Sequence, residues 1–145
     1  MAKRIARPIH VVVAWLLVAG LLVQVFLAGM GVFDSASSFI THRDWGYAIT
    51  LLPAVLIVTG LVGGFGRAQV VAAAVMLGQF ILQSILVLQR ESSPAIAALH
   101  PVNGFLILLI AIWLARDAWG IWQASDEPAA GEAAAEPVTS DAAPG

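Results

Sequence analysis

PIHVVVAWLLVAGLLVQVFLAGMGVF, residues 8–33, contains no Asp, Glu, Lys or Arg. A bilayer core is crossed by about 20 apolar residues in helical form, and a charge left in hydrocarbon is costly on any scale. The run therefore reads as a transmembrane helix. Three further charge-free intervals, 45–66, 68–89 and 92–115, repeat the pattern. The expected architecture is all-α: a four-helix, up-down-up-down membrane bundle with helices at about 8–33, 42–64, 67–89 and 94–119. Residues 1–122 form this domain.

Composition agrees. Of 145 residues, 60% are hydrophobic and 11% charged, and that charged share is roughly half what a soluble domain needs to wet its surface. The absence of cysteine excludes disulfides, thiolate metal sites and cysteine nucleophiles. Seven Lys and Arg, with no basic run beyond Lys3, Arg4 and Arg7, make no phosphate-tracking surface, so nucleic acid is not an expected partner. The expected partner is the lipid bilayer.

From Gln123 onward Asp126, Glu127, Glu132, Glu136 and Asp141 sit among Ala, Pro, Gly and Ser. Residues 123–145 read as a disordered acidic tail. The formal charge of -2 belongs to that tail, because residues 1–125 carry seven basic and four acidic side chains. Lys3, Arg4, Arg7, Arg67 and Arg116 fall at one end of the bundle and Arg43 and Arg90 at the other. This asymmetry places both termini in the cytoplasm. The first apolar run exceeds the 7–15 residues typical of a signal-peptide core, so it reads as an uncleaved span.

Local signals fit these limits. Pro8 suits a first helical turn, Thr41 an N-cap for the second helix, and Ser93-Pro94 an N-cap followed by N1 for the fourth. Gly63-Gly64-Phe65-Gly66 is a turn. Pro53 and Pro101 should kink their helices, and Trp45, Trp113, Trp119 and Trp122 fall where aromatic rings anchor spans at the interface.

Function is sought among polar groups placed where lipid penalises them: Gln24, His42, Gln79, Gln83, His100 and Asn103. His10, near the cytoplasmic face beside Pro8, reads as structural. His42 and His100 both fall toward the outer face, and both begin an H-x-x-x-G pattern, ending at Gly46 and Gly104, at an offset of 58 residues. Gly20 and Gly78 share that offset, whereas Gln24 and Gln83 miss it by one residue, which counts against a strict repeat. A pseudo-twofold axis along the membrane normal would set the two histidines at matched depth on diagonal helices.

Diagonal helix axes lie about 11–14 Å apart, a gap suited to a planar group with a metal at its centre. Two imidazoles reaching inward would be the axial ligands of one haem b, with Gly46 and Gly104 clearing space for the ring and Arg43 and Arg90 pairing with its propionates. The plainer reading stands beside it. In that reading His42 is an interfacial polar residue, His100-Pro101 marks a kink, Gln24, Gln79 and Gln83 are interhelical glue, and the chain is a non-catalytic accessory subunit of a larger membrane complex. A redox partner is expected under the first reading. Transport has no charged residue in mid-membrane to support it. Asp34, Asp44 and Glu91 read as solvated loop charges that form no acid–base pair, so no catalytic residue is named.

Gln24-Val-Phe-Leu-Ala-Gly-Met-Gly31, His42-Arg-Asp-Trp-Gly-Tyr47 and Ala98-Leu-His-Pro-Val-Asn-Gly104, in this order, resemble an uncharacterised bacterial family of small four-helix membrane proteins. The resemblance spans about residues 8–119. It implies a fold and little chemistry. The second and fourth helices also resemble those of one half of haem A synthase, where histidines occupy both helices and the first lies in an E-x-x-H-R setting followed by a glycine. His42-Arg43 and Gly46 match that setting, and His100 corresponds to the helix-four ligand. Phe39 stands where that family carries its glutamate, and the cysteine pair of its outer loop is absent. The likeness thus implies haem binding without oxidation of a haem substituent.

Overall fold

The computed structural model describes residues 1–133, with side chains through Ser125. Helices run in the order α1 (Ala2–Phe33), α2 (Ser38–Ile49), α3 (Leu51–Gly63), α4 (Arg67–Leu88), α5 (Pro94–Ala97) and α6 (Leu99–Ala133). They make four segments long and apolar enough to cross a membrane: α1, α2 with α3, α4, and α5 with α6 through Ser125. No strand occurs among the described residues. Four such segments place the protein in a lipid bilayer.

The two breaks within segments share one cause. Proline has no N–H for the carbonyl four residues back and crowds the preceding turn. The helix assignment is interrupted at Thr50, three residues before Pro53, and at Ala98, three residues before Pro101. At Thr50 the hydroxyl donates to the Gly46 carbonyl at 2.8 Å, keeping that turn closed.

Helix ends differ from the expected limits in three places. The first helix begins at Ala2, so Pro8 lies inside it instead of in its first turn. The ring leaves the Arg4 carbonyl without its intrahelical N–H partner, a loss of one bond that the long helix tolerates. The second segment starts at Ser38 with Ser37 as N-cap, displacing Thr41 from that role. Ser93 is the N-cap of α5 as expected, but it accepts through its carbonyl, from Ile96 and Ala97 N–H, and its side chain makes no cap bond. The last helix continues to Ala133, past the Gln123 at which a tail was expected to begin. Residues 134–145 of that segment lie outside the described residues. The expected turn at 63–66 is present: Gly64 and Gly66 adopt φ of 68° and 90°, a region that side-chain-bearing residues rarely enter.

The four segments form a square. α1 packs on α2–α3 and on α6, and α4 packs on α3 and on α5–α6, which leaves two diagonals: α1 with α4, and α2–α3 with α5–α6. Leu17, Leu56, Met76, Ile107 and Leu114 fill the middle, each nearly or fully buried. Buried polar side chains are confined to layers on either side of this apolar plug. One layer holds Asn103 beside the half-buried His42 and His100. The other holds His10.

Candidate functional site

α2 carries His42 and α6 carries His100, and the square sets them on diagonal helices facing one another. Their ring centroids are 6.2 Å apart, with planes at 62°. Each ring is fixed from behind by the first helix of its own hairpin. His42 Nδ1 lies 3.0 Å from the Gln24 carbonyl and His100 Nδ1 lies 3.2 Å from the Gln83 carbonyl. A carbonyl oxygen only accepts, so both Nδ1 atoms carry the proton and donate. In the neutral rings this leaves both Nε2 atoms with a free lone pair.

The same construction recurs one turn away. Trp45 Nε1 donates to the Gly20 carbonyl at 2.9 Å, and Asn103 Nδ2 donates to the Gln79 carbonyl at 3.0 Å. A Cβ at Gly46 would stand 2.9 Å from Gln24 Nε2, and one at Gly104 would stand 3.3 Å from Gln83 Nε2. Three features of the first hairpin thus return in the second. On α2 and α6 the offset is 58 residues, but on α1 and α4 it is 59, pairing Gly20 with Gln79 and Gln24 with Gln83. The match of Gly20 with Gly78 expected from sequence is replaced by Gly20 with Gln79. The single-residue slip that counted against a repeat is taken up between the helices: 18 residues separate Gln24 from His42 and 17 separate Gln83 from His100.

The halves part at the glutamine side chains. Gln24 Nε2 lies 3.0 Å from the His42 carbonyl and 3.1 Å from His42 Nε2. The carbonyl requires the amide NH2 on that side, so Gln24 donates to both atoms, and its Oε1 is buried with no hydrogen-bond partner. Buried acceptors left in this state are rare. Gln83 instead accepts from Asn103 Nδ2 at 2.8 Å through its Oε1. His42 Nε2 is therefore capped, while no hydrogen bond reaches His100 Nε2 among the described residues.

Other expected site residues are placed as follows. Gly46 and Gly104 receive the two glutamine amides. Gln79 takes part through its backbone carbonyl. Arg43 and Arg90 are exposed at the end of the bundle that carries the histidine pair, each joined to its chain neighbour, Asp44 at 2.8 Å and Glu91 at 3.5 Å. Phe39 sets its ring at 90° to His42, with centroids 6.2 Å apart. No group of three or more His, Cys, Asp or Glu side chains gathers as a metal cage among the described residues.

His10, read from sequence as structural, joins the segments at the other end of the bundle. It is fully buried, contacts Thr59 Oγ1 at 2.8 Å and Gln69 Oε1 at 3.2 Å, and stacks on Phe65 at 4.1 Å. Gln69 Nε2 goes on to the Leu114 carbonyl at 3.1 Å and Asp117 Oδ2 at 2.7 Å. The polar layer draws one side chain from each segment. Gln69 and Asp117 were missed because each lies beside an arginine at a helix end, Arg67 and Arg116, where a solvated reading is the default, and Thr59 was missed because a lone threonine in the apolar run 54–62 can bond a carbonyl of its own helix. The available signal was that they share one end of the bundle with His10.

Residues 24–90 match a family model described as a family of unknown function, DUF6220. The matched stretch contains Gln24, His42, Gly46 and Gln83 and stops before His100. No curated protein and no solved structure matches the chain, so the likeness to haem A synthase has no support from these comparisons.

Proposed function

We propose that this chain, similar over residues 24–90 to a family of unknown function, is a multi-pass protein that holds one haem b between its second and fourth segments. His42 and His100 are the axial ligands, and the role is electron transfer or redox sensing in a bacterial cytoplasmic membrane. Both termini face the cytoplasm in this reading, since five basic side chains lie at their end against two at the other.

The observation that carries the reading is the pair of imidazoles, each held by an Nδ1–H donated to a neighbouring carbonyl. That back-bond fixes tautomer and ring orientation, and it is the usual setting of a ligating histidine. The rings stand 6.2 Å apart, centroid to centroid, on diagonal helices, so both residues would border one group held between the second and fourth segments. Two nitrogens are a poor cage for a bare ion but a full axial set for a porphyrin. The unpartnered Gln24 Oε1 marks this layer as lacking a polar neighbour.

Bound there, haem supplies a one-electron couple with no open coordination position. The chain's own groups do the rest. The Gln24 and Gln83 carbonyls hold the rings, Gln24 must withdraw its amide from His42 Nε2 for ligation, and Arg43 and Arg90 are cations available to propionates on that side. The apolar plug around Leu56 and Met76 keeps water from reaching the layer through the bundle. Protein purified in detergent from haem-replete cells should be red, with about one haem per chain and a Soret band. Colourless protein that shows no spectral shift on haem titration overturns the proposal.

A further inference from the structure

The layer at the opposite end of the bundle contains a buried histidine with an unusual hydrogen-bond ledger. Gln69 Nε2 faces two acceptors, the Leu114 carbonyl and Asp117 Oδ2, so its amide orientation is fixed and Oε1 must face His10. His10 Nε2 therefore carries a proton and donates. The other ring nitrogen meets Thr59 Oγ1, whose hydroxyl hydrogen has two kinds of destination: His10 Nδ1 at 2.8 Å, or a carbonyl of its own helix, Val55 at 2.8 Å or Leu56 at 3.4 Å.

Each destination corresponds to one charge state. When Thr59 donates to Nδ1, the imidazole is neutral. When Thr59 donates to a carbonyl of its own helix, its oxygen is free to accept, and an Nδ1–H completes an imidazolium with both N–H groups satisfied. The change moves one hydroxyl hydrogen and no heavy atom. Neither state leaves a polar group unpaired, so the cost specific to the imidazolium is that of burying its charge. Asp117 sends its negative charge toward the ring through the aligned Gln69 amide, and the stacked Phe65 face also favours a cation.

We infer that His10 is a proton-binding site, reached from the membrane side that carries the termini and built from Thr59, Gln69 and Asp117. The sidedness follows from packing. Between this layer and the His42–His100 layer lie Leu17, Leu56, Met76 and Ile107, all buried, which offer a proton no path across. Among the charged groups of the packed helices at this end, Asp117 on α6 favours the cation. Lys3, Arg4 and Arg7 on α1, Arg67 on α4 and Arg116 on α6 oppose it, and α3 carries no charge. Arg7 is partly engaged, its Nε donating to the Gly63 carbonyl at 3.1 Å. The inference is independent of haem.

The chain has three histidines, so 15N-histidine spectra of the full-length protein in lipid nanodiscs are assignable, with His10→Gln marking one set of signals. Lowering pH from about 8 to 4.5 should carry His10 from the Nε2–H tautomer to the imidazolium pattern. Asp117→Asn keeps the acceptor for Gln69 and removes the charge, and should lower the midpoint by about half a pH unit or more. Thr59→Val removes the Nδ1 partner at nearly constant shape and should lower it as well. A His10 that stays in one neutral tautomer over this range, or a midpoint unmoved in both variants, overturns the inference.

Discussion

Gln24 is the residue at which the two halves of the bundle differ most in consequence. Its amide caps His42 Nε2 at 3.1 Å, whereas the Gln83 amide oxygen is bonded to Asn103. Gln24→Ala should therefore free His42 and tighten haem binding by about 3- to 10-fold, equivalent to about 1 kcal/mol for one released hydrogen bond. Gln83→Ala should not tighten it. Haem titration followed at the Soret band separates the two, and equal affinities would remove Gln24 from this role. The glycines beneath the amides make a second test. Gly46→Ala brings a methyl to within 2.9 Å of Gln24 Nε2 and Gly104→Ala to within 3.3 Å of Gln83 Nε2, so Gly46→Ala should lower the unfolding midpoint in detergent more than Gly104→Ala. Sequence spacing picked out both histidines and both glycines. It could not show what covers the glycines, because that depends on how far α1 and α4 slide along their partners.

At the scale of elements, each hairpin is tied by side-chain donors on its second helix to carbonyls on its first. Those carbonyls already serve their own helices, so every tie is a shared acceptor, a form open to any donor of suitable reach. Trp45 and Asn103 do the same work with different chemistry, which is why comparing residue types hid their correspondence. The charge-free interval made Trp45 look like an interfacial anchor, although its indole N–H is spent on Gly20. Trp45→Phe removes one such bond and should cost about 0.6 kcal/mol, near the mean for interhelical bonds in membranes. Asn103→Leu removes two and leaves Gln83 Oε1 without that donor, so its cost should be at least twice as large. Unfolding in mixed micelles measures both, and the reverse order would mean that the ties do not hold the hairpins. The proline breaks were legible because a missing N–H acts at a fixed distance along the chain. The start of the first helix was not: Lys3, Arg4 and Arg7 are excluded from hydrocarbon but not from helix.

For the molecule as a whole, the absence of charge over four intervals was enough to read the bundle and the diagonal placement of its second and fourth segments. The sequence did not reveal two polar layers separated by a dry plug. The layer around His10 stayed hidden because Gln69 and Asp117 sit near charged helix ends. Orientation is directly testable, since the chain has no cysteine. A single cysteine at Ser92, at the end opposite the termini, should react with an impermeant maleimide added to whole cells, and one at the exposed Ala68 should react only after lysis; the opposite pattern would invert the assignment.

The central claim is that one haem is held between His42 and His100. The most direct measurement is the absorbance spectrum, from about 350 to 600 nm, of wild type, His42→Ala and His100→Ala at equal protein concentration and with equal helicity. We expect a Soret band in the wild type that is lost or strongly reduced in each variant. A wild type without the band, or variants that keep it at full strength and unshifted, would contradict the account.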